Sequence, residues 1–190
     1  MRSKDKRIAV STSEELVGLI RRRVENLFET HQLLCAEAVF YVLNQGLRGG
    51  LEPEAAIRLA SGFSEGVSGA GCICGAFSGG LMAVGLFLGR QGSNRWGTGK
   101  LQTKSKELYD LFRSNFGSPC CRVLTKELKD DDRALFEHCM GHTGEVAEMA
   151  ARFILEARPD LVQQADWDFL KTQDSIIKAG LNRLLTLVKA

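Results

Sequence analysis

The chain has 190 residues, 25 Lys and Arg against 23 Asp and Glu, and a net charge of +2. That is enough chain to bury a full core, and the near-neutral balance excludes a global nucleic-acid footprint. The 44% hydrophobic and 25% charged content is ordinary for a soluble globular protein.

Met1-Arg2-Ser3-Lys4-Asp5-Lys6-Arg7 leads into only Ile8-Ala9-Val10 before polar residues resume. This is too short for the ~7–15-residue core of a secretory signal, so a cytoplasmic location is expected. Ser11-Thr12-Ser13-Glu14-Glu15 offers a helix cap followed by acids. Leu16, Leu19, Ile20, Val24 and Leu27 then recur at helical spacing. The pattern resumes through Leu34, Ala38, Tyr41 and Val42 and stops at Gly46 and Gly49-Gly50, with room for a break near Thr30-His31. Pro53 suits a first helical turn, with Ala56, Leu59, Ala60 and Phe63 as its apolar stripe.

From Gly66 to Gly89 no residue is charged, a length that invites a membrane-span reading. The first third is loop-like, however, and Gly71, Gly75 and Gly79 repeat every four residues. The expectation is a glycine-rich central helix with one bare face, buried in the protein and not spanning a membrane.

An exposed loop is expected at Gly92–Gly99, and a helix stop at Phe116-Gly117-Ser118-Pro119. The acids Asp130-Asp131-Asp132 read as the cap of a long helix that Pro159 closes. A last amphipathic helix is expected from about Trp167 to Val188. The fold class is all-α, an irregular bundle of six or seven helices. Residues 1–158 form the main helical domain; residues 159–190 form a helical extension packed on it and available for homo-oligomer contacts.

Six cysteines carry the chemistry: Cys35, Cys72, Cys74, Cys120, Cys121 and Cys139. Free cysteine often only fills core space. Cys74 differs because it joins a glycine-rich loop to a helix, where free backbone N–H groups favour a thiolate. Gly75 and Gly79 beside it let a cofactor or a second chain approach the backbone closely. Cys121 follows a Gly-Ser-Pro-Cys turn and is placed to open a helix, whereas Cys35 and Cys139 fall within helical patterns. His31 and Cys35 are spaced i, i+4 and Cys139 and His142 i, i+3, spacings that put each pair on one helical face, where it suits zinc or iron. No Cys-x-x-Cys occurs, which disfavours zinc ribbons and thioredoxin-type sites. Neither a dinucleotide fingerprint, a phosphate loop nor a hydrolase triad can be assembled.

In order, Cys35-Ala36, Cys74-Gly75-Ala76-Phe77-Ser78-Gly79, Gly117-Ser118-Pro119-Cys120-Cys121-Arg122-Val123-Leu124 and Cys139 resemble the four-cysteine family named for its C-GCAxxG-C-C pattern. The resemblance runs from about Glu25 to Ala157 and implies a redox-active protein. By motif position its four cysteines are Cys35, Cys74, Cys121 and Cys139; Cys121 is preferred to Cys120 because Cys-Arg-x-Leu follows it. Cys72 and Cys120 are extra. Four thiolates are the set an iron–sulfur cluster needs, most simply [2Fe–2S], with an unidentified protein as electron partner. The alternatives are cofactor-free thiol–disulfide exchange centred on Cys74, a zinc-holding bundle, and a helical interaction module with inert cysteines.

Overall fold

The computed structural model describes residues 3–90, 92–93, 99–177 and 179–180. Among them there is no β-strand, only an isolated antiparallel bridge between Ile73 and Cys120. Helix α1 spans Ser3–Glu29, α2 Cys35–Gly46, α3 Pro53–Ser61, and α4 is a single short turn at Ser64–Ser68. Then come α5 (Gly75–Leu88), α6 (Gly99–Phe116), α7 (Cys121–Leu124), a 3-10 turn at Lys126–Leu128, and α8 (Asp132–Ala157). Two short helices follow, α9 (Leu161–Gln164) and α10 (Trp167–Lys171). The protein is an all-α bundle.

Three long helices surround a fourth. α2 is the most apolar in its surroundings: Ala36, Ala38, Val39, Val42 and Leu43 are fully buried, pressed between α1, α5 and α8. α5 can approach α2 because it carries glycine at the seam. A Cβ on Gly79 would stand 2.6 Å from the Ala36 carbonyl oxygen and 3.1 Å from Val39 Cβ. Phe77, on the other side of α5, packs against Phe112 of α6 with the rings tilted and their centroids 4.8 Å apart. The charge-free stretch is therefore a core helix, and no helix among the described residues is long and apolar enough to cross a membrane. The expected four-residue glycine repeat is shorter than the pattern suggested. Gly71 lies before α5 with φ +69°, so only Gly75 and Gly79 belong to the helix.

Other boundaries follow local chemistry. The Asp131 carboxylate accepts a hydrogen bond from the Ala134 N–H at 2.9 Å and starts α8. Glu37 takes the Leu34 N–H at 2.9 Å and the Ser61 hydroxyl at 2.7 Å, fixing the start of α2 to the end of α3. Pro53 opens α3, and Gly117 (φ +82°) stops α6. Of the loop expected at Gly92–Gly99, residues 94–98 lie outside the described ones, and Gly99 already belongs to α6. The Ser11–Ser13 cap is not used. α1 runs through it, so the preceding turn supplies the partners that a cap would have given.

The last helix is interrupted where its apolar pattern implied a continuous one, and residues 176–177 and 179–180 are helical again. α10 stops at Lys171, and residues 172–175 are not helical. Two buried side chains of α1 explain the break. Arg23 donates to the Thr172 carbonyl at 3.2 Å, while Asn26 donates to the Asp174 carbonyl and accepts from its N–H, both at 2.9 Å. These bonds occupy backbone groups that a continuous helix would have used. Arg23 also pairs with the Asp174 carboxylate at 2.9 Å, and Leu170 packs into the space left by Gly46. The expected positions Leu181, Leu184, Leu185 and Val188 lie outside the described residues.

Candidate functional site

Cys35, Cys74, Cys121 and Cys139 line one cavity of about 870 Å³, and neither Cys72 nor Cys120 is in its wall. Gly75 also lines it; Gly79 does not, because it faces α2 in the helix seam. Phe28, Leu33, Leu135 and Phe136 form an apolar side of the cavity, and Arg122 and Lys129 are among its charged residues.

Three of the four thiols sit at helix starts. Cys35 is the first residue of α2, Cys74 precedes α5 as its N-cap, and Cys121 is the first residue of α7; Cys139 lies inside α8. Cys35 is thus a helix opener and not the mid-helix residue its sequence pattern suggested. The reason is the break after α1. Glu29 is its last residue, and His31 adopts a left-handed φ of 54°. His31 and Cys35 are consequently not on one helical face, although both line the cavity. His31 instead packs its ring 4.9 Å from that of Phe136.

Two loops bring Cys74 and Cys121 together. The Cys74 N–H donates to the Pro119 carbonyl at 2.7 Å, and the Arg122 N–H donates to the Gly71 carbonyl at 3.0 Å. The Cys121 N–H bonds the Cys72 carbonyl between them. Cys120 is the extended N-cap of α7 and Cys121 its first helical residue, and the two neighbouring thiols enter different surroundings. Cys120 is not in the cavity wall and donates its thiol to the Gly71 carbonyl at 3.3 Å, and Cys72 is exposed.

Burial overrides the helix ends. Desolvation raises the pKa of Cys35 and Cys121 and pushes Cys74 and Cys139 up to about 12. Backbone N–H groups of Ala76 and Phe77 act against this at Cys74 without offsetting it. Charges on Cys35 and on Cys121 both oppose ionisation of Cys74 and Cys139, and a charge on Cys35 opposes that of Cys121, so the four thiols lie within electrostatic reach of one another.

Histidines close one end. His142 is held with its Nδ1 2.8 Å from the His138 carbonyl, so that nitrogen donates and Nε2 is left as acceptor. Burial lowers its pKa, which keeps the ring neutral. His138, not singled out from sequence, lies 4.1 Å from it ring to ring, and its Nε2 is buried without a partner. Its signal was only adjacency to Cys139. Among the described residues, no group of three or more His, Cys, Asp or Glu side chains is gathered closely enough to hold a metal ion.

A pH prediction follows. The folded state favours the protonated form of Cys74 and Cys139, whose pKa is raised from 9.0 to about 12. The stability they contribute is whole below the ordinary thiol value and is lost as pH rises through about 12. The urea midpoint of reduced, metal-free protein should fall between pH 8 and pH 10.5, and less in Cys74→Ser. An equal fall in both proteins would mean that Cys74 ionises as freely folded as unfolded.

The model of the family described as "Putative redox-active protein (C_GCAxxG_C_C)" matches residues 33–153. The chain belongs to that family. The match contains the whole cavity wall from Leu33 to Thr143 except Phe28, His31 and Gln32 of the α1 end. No curated protein and no solved structure matches the chain.

Proposed function

We propose that this C_GCAxxG_C_C protein transfers electrons through an iron–sulfur cluster, most simply [2Fe–2S], held by Cys35, Cys74, Cys121 and Cys139. The observation that carries the reading is the selection of thiols: these four share one cavity and the other two cysteines stand outside it. Burial supports it further. Free thiols with pKa values near 12 are poor nucleophiles at neutral pH, whereas a bound soft cation deprotonates its thiol ligands outright. The thiols ring a wide cavity and do not converge on one point. That arrangement suits several irons better than one zinc ion, whose ligands must meet at about 2.3 Å from a single centre. When bound, the cluster supplies a one-electron couple; the chain supplies the ligands, the apolar wall and hydrogen bonds to sulfur. The electron partner is a separate protein, and the cytoplasm is the compartment that keeps the unloaded thiols reduced.

The second reading is thiol–disulfide exchange without a cofactor. It is favoured by four free thiols lining one cavity and by the lack of a gathered single-ion site among the described residues. Protein prepared without oxygen separates the two. Iron and acid-labile sulfide with thiolate-to-iron visible absorption are expected. Colourless protein that takes up neither after reconstitution, and loses thiols in pairs on mild oxidation, would establish the second reading instead.

A further inference from the structure

The short turn α4 is left-handed. Glu65, Gly66 and Val67 have φ, ψ of 55°, 30°; 69°, 55°; and 64°, 65°, and Ser68 has φ 52°. Each non-glycine residue in this conformation costs about 1–2 kcal/mol, and a β-branched valine there is a real outlier. Strain of this kind persists only where the surroundings over-determine it, and it concentrates at functional sites.

The surroundings are two of the four cysteines. On one side Gly66 lies against Cys121, where an added Cβ would stand 2.6 Å from Cys121 Cβ and 3.1 Å from its Sγ. On the other side is Gly75, whose missing side chain leaves room for the Cys35 sulfur. A Cβ on Gly75 would clash with Cys35 Sγ and stand 3.2 Å from Ser64 Cα, so sulfur and serine flank the same point. Ser64 is 2% exposed, and its Oγ is buried with no hydrogen-bond partner. A buried hydroxyl left unpaired costs about 1–3 kcal/mol. The unpaired hydroxyl belongs to a residue whose Cα stands with the Cys35 sulfur around the one point beside Gly75. Its hydroxyl, together with the Glu65 and Ala36 N–H groups, acts to favour the ionised sulfur of Cys35 against burial.

We propose that Ser64 is a positioning residue of the redox centre: its hydroxyl and the Glu65 N–H donate to the Cys35 sulfur when that sulfur carries negative charge, and so raise the reduction potential. Both donors come from the short turn that opens at Ser64. Donors to a ligand sulfur favour the reduced, more negative state. The effect on potential rests on the cluster reading above; the hydrogen bond to Cys35 does not.

Two arms test it, each with Ser64→Ala and with Ser64→Thr, which keeps the hydroxyl. In metal-free, reduced protein, iodoacetamide labelling resolved by mass spectrometry should slow at Cys35 by about threefold or more in Ser64→Ala, as loss of one charge-assisted bond implies. Cys74 and Cys139 should keep their rates in the same sample, and threonine should restore Cys35. An unchanged Cys35 rate, or a rise at all three cysteines from general loosening, would overturn the proposal. In iron-loaded protein, Ser64→Ala should weaken the one-electron reduction equilibrium by about tenfold, a shift of about 59 mV to more negative potential. An unchanged potential would remove the tuning role. If wild-type protein binds no iron and sulfide, the cluster reading fails by itself, and the labelling arm still decides the role of Ser64.

Discussion

Gly75→Ala is expected to destabilise the protein and dismantle the four-cysteine cavity, while Gly85→Ala, ten residues along the same helix, is expected to stabilise it. The two substitutions add the same methyl group. At Gly75 the new Cβ would collide with Cys35 Sγ and lie 3.0 Å from the Phe63 carbonyl oxygen and 3.2 Å from Ser64 Cα. Two of these three neighbours are backbone, so the sulfur is the group that must move. Overpacking of this kind costs about 1–3 kcal/mol, and on the proposed function it should also remove most of the bound iron. At Gly85 nothing lies within 4 Å of the added carbon. There the helix gains about 0.5–1 kcal/mol from alanine's smaller loss of backbone entropy. Urea unfolding of both variants checks the opposite signs. Destabilisation by Gly85→Ala, or iron retained at wild-type level in Gly75→Ala, would contradict the packing described for α5.

Cys121→Ser is expected to abolish cluster binding, and Cys120→Ser to leave it intact. The pair is a stringent test because the residues are neighbours and chemically identical. Cys121 lines the cavity and touches the left-handed turn at Gly66, whereas Cys120 is not in the cavity wall and donates its thiol to the Gly71 carbonyl. Losing an outer-sphere partner typically lowers metal affinity about 10–100-fold; losing a ligand should do more. Iron and sulfide per chain after anaerobic reconstitution give the readout. Cys72→Ser serves as a second control, since Cys72 is exposed and also lies outside the cavity wall. Equal iron loss in Cys120→Ser and Cys121→Ser would show that the cavity does not choose between them.

Much of this was legible in the chain itself. Helical periodicity and the three prolines were enough for an all-α bundle, because the period of apolar residues and the missing proline N–H act locally. The Asp131 cap and the start of α3 at Pro53 followed from the same local rules. The four cysteines could be chosen from their motif positions before any geometry was available. Failures occurred where a distant group took over a backbone bond. α10 ends at Lys171 because Arg23 and Asn26 of α1 hold residues 172–174, and no nearby residue announces that. His31 and Cys35 have helical spacing, but one left-handed residue between α1 and α2 cancels it.

The six cysteines mark the division. Sequence alone determined how many thiols there are, that they sit among helices, and that Cys74 joins a glycine-rich loop to a core helix. Only the tertiary structure decided which thiols share a space. Cys120 stays extended in a bridge to Ile73, a contact between segments nearly fifty residues apart, while Cys121 beside it opens α7 and lines the cavity. The Cys35 sulfur has its room because α5 carries no side chain at Gly75. The high thiol pKa values belong to the fold for the same reason: helix starts favour thiolates locally, and burial by distant residues reverses the sign.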